Sequence, residues 1–182
     1  MRTSPLALLA LGALLALATP LRAEPVTSGL PPAAETALAQ ARAACPAGLE
    51  AQPGFVRRVD VNGDGIADVV LDYSFLSCGE DPNFFCGTGG CTLQVFASGG
   101  AGFRPVYDET VREIRFRTVA GTPRLFASLH GSACHRTGYL PCEQTLAWTG
   151  TRFEAAPAGI RTAHKARIPV AALRVAAARR DD

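Results

Sequence analysis

One stretch decides how this chain folds, and it reads Asp60-Val61-Asn62-Gly63-Asp64-Gly65-Ile66-Ala67-Asp68-Val69-Val70-Leu71. Oxygen-bearing side chains stand at its first, third, fifth and ninth positions, and Gly65 stands at the sixth. A hard cation such as Ca²⁺ takes about six to eight oxygen ligands, and a loop that offers one at every second residue can wrap around it. The glycine supplies a sharp turn that a residue with a Cβ would resist. Three apolar residues follow, so we expect a Ca²⁺-binding loop that opens onto a buried strand.

The predicted ligands are four side chains and one backbone carbonyl, that of Ile66: Asp60, Asn62, Asp64, Ile66 and Asp68. The alternative is an ordinary turn between two strands, because Asn-Gly alone is a hairpin signal. A plain turn does not need three carboxylates within nine residues, which repel each other unless a cation neutralises them. An EF-hand would place a bidentate Glu at the twelfth position, which here is Leu71. The ligand set therefore ends at Asp68, and we expect a fixed brace and not a switch.

The loop and the residues after it resemble the calcium loop of FG-GAP and VCBS-type repeats, the units of integrin-like β-propeller blades. The similarity covers roughly residues 55–107: the loop, a strand from Asp68, a strand ending at Phe96 and a Gly-x-Gly-Phe turn at 100–103. It implies a Ca²⁺ site between two strands. Only one copy is present, and a closed propeller needs several blades. The chain is also similar to small exported bacterial proteins of unassigned function, which implies no activity.

Residues 1–23 have the features of a secretory signal peptide. Arg2 gives a positive start, an apolar run of about 13 residues spans 6–18, and the small residue Ala23 stands at the expected cleavage point. The run is shorter than the ~20 residues of a membrane helix, so we expect an exported, periplasmic or secreted protein without membrane insertion after cleavage. Cleavage would leave residues 24–182, enough for one domain, with 16 basic and 16 acidic residues. This balance does not point to nucleic acid, and we expect a monomer.

All six cysteines follow the signal segment: Cys45, Cys78, Cys86, Cys91, Cys134 and Cys142. An even number in an exported chain predicts disulfides, here up to three. Proximity favours pairing Cys86 with Cys91 and Cys134 with Cys142, which leaves Cys45 with Cys78, but the sequence does not choose among the pairings. A zinc site is the competing interpretation. It is weak, because no two cysteines have the two-residue spacing and the histidines do not cluster.

The remaining pattern predicts a mainly β (α+β) single domain. A proline pair, an acidic residue in the first turn and an alanine-rich run indicate a helix over 32–45. Apolar alternation then predicts about seven strands, beginning at Phe55 and continuing over 111–154. Short turns between neighbouring strands favour an antiparallel meander stapled by disulfides, with the helix packed on one face. Residues 157–182 are expected to form a loosely ordered tail.

The function of the domain has three interpretations. The first is a non-catalytic envelope or extracellular binding or scaffold protein with a structural Ca²⁺ site, whose partner would be an unidentified protein or glycan. The second is an inhibitor of a lysozyme-type envelope hydrolase that acts through the Gly- and Cys-rich loops at 77–91 and 130–142. The third is a hydrolase that uses His130, Ser132 or His135. This last reading is disfavoured, because the serine lacks the Gly-x-Ser-x-Gly setting and the neighbouring cysteine is expected to be oxidised.

Overall fold

The structure is a computed structural model that describes residues 26–156. The predicted signal peptide (1–23) and C-terminal tail (157–182) lie outside the described residues. The described part contains one α-helix and eleven strands: α1 (Pro32–Ala44), β1 (Leu49–Ala51), β2 (Val56–Val59), β3 (Asp68–Asp72), β4 (Leu76–Cys78), β5 (Cys86–Gly87), β6 (Gly90–Ala97), β7 (Arg104–Val111), β8 (Glu113–Val119), β9 (Thr122–Leu129), β10 (Cys142–Trp148) and β11 (Phe153–Ala155). The mainly β, antiparallel single domain with one helix is confirmed.

Helix α1 forms where the sequence predicts it and ends one residue earlier. Pro32 occupies the first turn, where its missing N–H has no partner to lose, and Glu35 lies near the positive end of the helix dipole. Cys45 has left the helical conformation, with φ −112°, although its N–H still bonds to the Ala41 carbonyl at 3.1 Å. The end of the helix therefore places this cysteine beside the neighbouring strands.

Two antiparallel sheets carry the seven strands of four or more residues, in agreement with the predicted number. The central sheet has the order β2-β3-β6-β7, and short β5 pairs with the start of β6. The second sheet is the meander β8-β9-β10-β11. Strands β1 and β4 form a separate small pair. Of the four strands of two or three residues, β11 lies within the predicted 111–154 region, while β1, β4 and β5 escaped the sequence pattern because they are too short to show alternation.

The helix, the central sheet and the second sheet form three layers with two apolar cores. Val70 belongs to the core between the sheets, where Leu125 of β9 also lies. Its neighbours Val69 and Leu71 point to the opposite face and pack with Leu38 of α1. All three β3 residues are fully buried because the central sheet is covered on both faces. This explains why the segment reads as a continuous apolar run.

The chain changes sheets at Arg112. The strand expected from Val111 is interrupted there: Val111 ends β7, and β8 begins at Glu113. The Arg112 amide donates to the Ser128 carbonyl of β9 at 2.8 Å. The backbone thus steps across to the second sheet within a single residue.

Three disulfides follow the pairing that proximity favoured: Cys45–Cys78, Cys86–Cys91 and Cys134–Cys142. The first ties the end of α1 to β4, the second closes the β5–β6 hairpin, and the third closes the loop before β10. Such bonds are typical of an oxidising environment, extracellular or periplasmic. Within residues 26–156, no helix has the length and apolar character to cross a membrane.

Candidate functional site

The predicted metal loop connects β2 to β3, whose pairing begins with Val59 opposite Asp68. Gly63 and Gly65 have positive φ angles of 82° and 83°, a conformation that side chains with a Cβ resist. Val61 is buried in the core between the sheets, and this packing anchors the loop to the core. The loop is therefore a surface structure with one apolar anchor.

Three loop side chains bend back onto amide groups of the loop itself. The Asp60 carboxylate, which is exposed, accepts from the Gly63 N–H at 2.6 Å and from the Gly65 N–H at 2.9 Å. The Asn62 Oδ1 accepts from the Asp64 N–H at 2.9 Å. The Asp64 Oδ1 accepts from the Ile66 N–H at 2.8 Å. These bonds hold the tight turns through the part of the loop that carries most of the predicted ligands.

Ser98, which follows β6, completes the site and was missed by sequence reasoning. Its hydroxyl lies 2.8 Å from Asp64 Oδ2 and also 2.8 Å from Asp68 Oδ1. Its N–H donates to Asp68 Oδ1 at 2.7 Å, and its carbonyl accepts from Asn62 Nδ2 at 3.1 Å. The pairing of β3 with β6, which sets Val69 opposite Phe96, brings the serine to the loop. No local signal marks it, because the sequence shows only the first residue of a glycine-rich turn.

Asp68 differs from the other predicted ligands because its side chain is fully buried. Besides the two bonds from Ser98, it accepts from the Val61 N–H at 2.7 Å. A buried charge is costly unless it is paired, hydrogen-bonded or bound to a metal. Within residues 26–156, no Lys, Arg or His forms an ion pair with Asp60, Asp64 or Asp68. Hydrogen bonds alone therefore hold this carboxylate.

A single hydroxyl group, that of Ser98, lies between the carboxylates of Asp64 and Asp68. Hydrogen bonds from the Ile66 N–H, the Ser98 hydroxyl and the Asn62 amide lower the pKa of Asp64, against the opposing effect of burial. Asp64 is consequently ionised at neutral pH. The Ser98 hydroxyl has one hydrogen, yet it lies within hydrogen-bonding distance of both carboxylates. The hydroxyl can therefore donate to only one of the two carboxylates at a time.

The donor chemistry of the loop fits a hard cation, while its side chains do not converge. Within the described residues, no three Asp, Glu, His or Cys side chains gather around a common point. A carboxylate has about four acceptor positions. Asp60 uses two of them and Asp68 three, so acceptor positions remain open. A cation would require the exposed Asp60 and Asp64 carboxylates to turn toward each other.

The two Gly- and Cys-rich loops, 77–91 and 130–142, meet at Arg112. Its guanidinium donates to the Thr88 carbonyl at 3.2 Å in the first loop. In the second loop, it donates to the carbonyls of Gly138 at 2.7 Å and Tyr139 at 3.2 Å. The two loops thus form one continuous surface, although 24 and 26 residues separate Arg112 from Thr88 and Gly138.

The hydrolase candidates come together only in part. Ser132 Oγ lies 2.8 Å from His130 Nδ1, as a nucleophile and a base would. No carboxylate in residues 26–156 bonds to His130, whose ring instead packs so closely on Gly138 that a Cβ there would collide. His135 ends the short 3₁₀ helix Gly131–Cys134 with φ 55°. The contact therefore closes a turn and lacks the orienting acid of a triad.

No protein-family model, curated protein or solved structure matches this chain. The similarity of residues 55–107 to an FG-GAP or VCBS-type repeat therefore stays a prediction.

Proposed function

We propose that the protein is an exported, Ca²⁺-binding β domain, in which the ion bound at residues 60–68 is structural and the domain binds a partner without catalysing a reaction. The observation that carries the proposal is the pair Asp64 and Asp68. The two carboxylates share the single proton of the Ser98 hydroxyl, and neither has a cationic side chain as partner in residues 26–156.

The ion would supply the positive charge that this part of the chain lacks. Asp60, Asn62 and Asp64 would hold it by side-chain oxygens, Ile66 by its carbonyl, and Asp68 from the inner side. Hard oxygen donors of this kind suit Ca²⁺, which accepts flexible coordination, better than Mg²⁺, which demands a near-octahedral site. Asp60 and Asp64 are exposed, so an ion can reach them from solvent.

A structural role is supported by what the loop connects. Val61 enters the core between the sheets, Asp68 begins β3, and Ser98 begins the turn from β6 to β7. A cation here would brace the ends of β2, β3 and β6 at one place. The chain leaves the loop as a strand whose first four residues are buried and not as a mobile helix, which favours a brace over a switch.

Export is supported by the apolar segment at 6–18 and by the oxidising environment that the three disulfides indicate. Extracellular Ca²⁺ modules commonly bind with Kd ~10⁻⁴ to 10⁻³ M. Such a site would be filled in a calcium-rich exterior.

The test is thermal unfolding of the purified protein in ~10 mM Ca²⁺ and in EDTA. With the Kd range above, binding stabilises the fold by about 1.4–2.7 kcal/mol, which raises Tm by roughly 3–10 °C. Asp64→Ala should abolish the difference. Asp81→Ala is a matched control, because Asp81 is exposed and accepts an N–H two residues ahead, from Asn83 at 2.9 Å, as Asp64 does. Equal Tm values in Ca²⁺ and EDTA would refute the proposal.

The second candidate function is inhibition of a lysozyme-type envelope hydrolase through loops 77–91 and 130–142. It is favoured by the Arg112 contacts, which fasten both loops into one surface. Two disulfide-closed loops held together in this way lose little entropy when a partner binds. Assays of lysozyme activity test it, and absence of inhibition at micromolar concentrations of the protein would rule out lysozyme as the target.

A further inference from the structure

We propose that the outer face of the second sheet binds a dianionic oxyanion, phosphate or sulfate, between Arg117 of β8 and Arg124 of β9. The site uses no residue of the calcium loop or of the two cysteine loops, and the inference goes beyond the proposed function. Three observations carry it: the register that sets the two arginines side by side, the burial of one of them, and the lack of a carboxylate partner for either within residues 26–156.

The strand register places the two arginine side chains next to each other. Arg117 is directly opposite Arg124 in the antiparallel pair β8–β9. Residues that are directly opposite share a face of the sheet, and their Cβ atoms are about 4.5–5.5 Å apart. Leu125 packs into the core between the sheets, so its chain neighbour Arg124 points to the outer face. Like charges in such a pair destabilise a sheet, and an anion bound between them would remove the repulsion.

Arg124 differs from the other arginines of the sheet because only 8% of the residue is exposed. Its Nε is buried and has no hydrogen-bond partner. A buried charge without a partner is costly, and a guanidinium cannot lose its proton to escape that cost. Arg117 is exposed. The pair therefore offers one cation that solvent reaches beside one that is buried and has a free donor.

The carboxylates of the same sheet do not neutralise the two arginines. Glu113 pairs with Arg115 at 3.5 Å, and Glu154 pairs with Arg152 at 2.6 Å. Glu143, near the start of β10, forms no ion pair with an arginine in the described part of the chain. The positive charge of the proposed site is therefore left for a ligand to balance.

The charge and geometry of the pair indicate the class of ligand. A guanidinium presents its N–H donors in a planar fork that matches two oxygens of a phosphate group. Two guanidinium groups carry two positive charges, which a phosphate or sulfate dianion balances and a single carboxylate does not. A free ion and a phosphate group carried by a larger molecule present the same oxygens, so the experiment includes a probe for each.

The experiment titrates the isotope-labelled protein at neutral pH with sulfate, phosphate, methyl phosphate or acetate, while sodium chloride holds the ionic strength constant. NMR follows the side-chain Nε–Hε signal of Arg124 and the backbone amides of β8 and β9. The test variants are Arg117→Gln, at an exposed position where the change leaves the fold intact, and Arg124→Met, which is read from the backbone amides. The matched control is Arg42→Gln, which neutralises an exposed arginine of α1.

We expect phosphate and sulfate to shift the Arg124 Nε–Hε signal saturably, and acetate to bind at least ~10-fold more weakly. Each test variant should weaken binding at least ~10-fold, because it removes charge-assisted hydrogen bonds, while the control should bind as the original protein does. Methyl phosphate that binds as tightly as phosphate supports a group on a larger molecule, and exclusion of methyl phosphate supports the free ion.

Shifts that follow ionic strength alone, or equal binding by Arg117→Gln and the original protein, would overturn the inference. Equal affinity for acetate and sulfate would overturn the dianion as the class of ligand. Neither result bears on the calcium site, because the variants leave residues 60–68 unchanged.

Discussion

The change Asp68→Ala tests whether the buried carboxylate holds the β3–β6 corner together. It removes the acceptor of two buried amides, those of Val61 and Ser98, at 2.7 Å each. A buried donor without a partner costs about 1–3 kcal/mol, so the two amides together cost about 2–6 kcal/mol. The Ser98 hydroxyl adds no further cost in free energy, because it can donate to Asp64 Oδ2, which is 2.8 Å away. We therefore expect a loss of about 2–6 kcal/mol in the free energy of unfolding.

The assay is urea unfolding in EDTA, followed by the fluorescence of Trp148, the one tryptophan of the chain. EDTA removes any contribution from bound ions. The matched control is Asp64→Ala, which leaves only the exposed Ile66 N–H without an acceptor. Asn62 Nδ2 still donates to the Ser98 carbonyl in this variant. It should cost less than ~1 kcal/mol. If Asp68→Ala and Asp64→Ala have the same effect, the corner does not depend on the buried carboxylate.

The remaining predictions concern the hairpin, the loop junction and alkaline stability. Gly90→Ala should cost at least ~3 kcal/mol in urea unfolding, because a Cβ at φ 110° would overlap the backbone of β7, while Gly87→Ala, with open space around it, should be silent. Arg112→Ala should leave the urea midpoint nearly unchanged but speed amide hydrogen exchange in residues 136–140, because the guanidinium no longer bonds to the carbonyls of this loop. Unchanged exchange would show that Arg112 does not hold the loop in place. Burial raises the pKa of Tyr73 and of Tyr107 to about 12, so the folded state keeps protons that the unfolded state releases near pH 10. The contribution of these two tyrosines to the free energy of unfolding should be fully present below pH 10 and should decline between pH 10 and 12. A urea midpoint that stays constant to pH 12 would contradict this.

Much of the fold could be predicted because its signals are local. Prolines and alanines mark α1, a continuous apolar run marks β3, and apolar alternation marks most of the other long strands. The disulfides at 86–91 and 134–142 join neighbours in the sequence, so proximity alone favours them. The apolar run 69–71 indicated a buried strand, and in the structure helix α1 and the second sheet cover its two faces.

What could not be predicted depends on contacts between distant residues. Ser98 reaches Asp68, thirty residues away, only through the register of β3 with β6. Strand β1 lies in a stretch that reads as a loop, and it forms because Leu49 pairs with Cys78, beside the disulfide from Cys45. The role of Arg112 was hidden for the same reason, since its three carbonyl partners come from two loops that only the folded sheets bring together.

The most direct test of the central claim is a Ca²⁺ titration of isotope-labelled protein, followed by the backbone amide signals in NMR. A calcium site in this loop predicts saturable shifts with Kd ~10⁻⁴ to 10⁻³ M at Gly63, Gly65, Ile66 and Ser98, with little change elsewhere. The shifts should vanish in Asp64→Ala. Amide signals of residues 60–68 that do not move up to ~10 mM Ca²⁺ would contradict a calcium site in this loop.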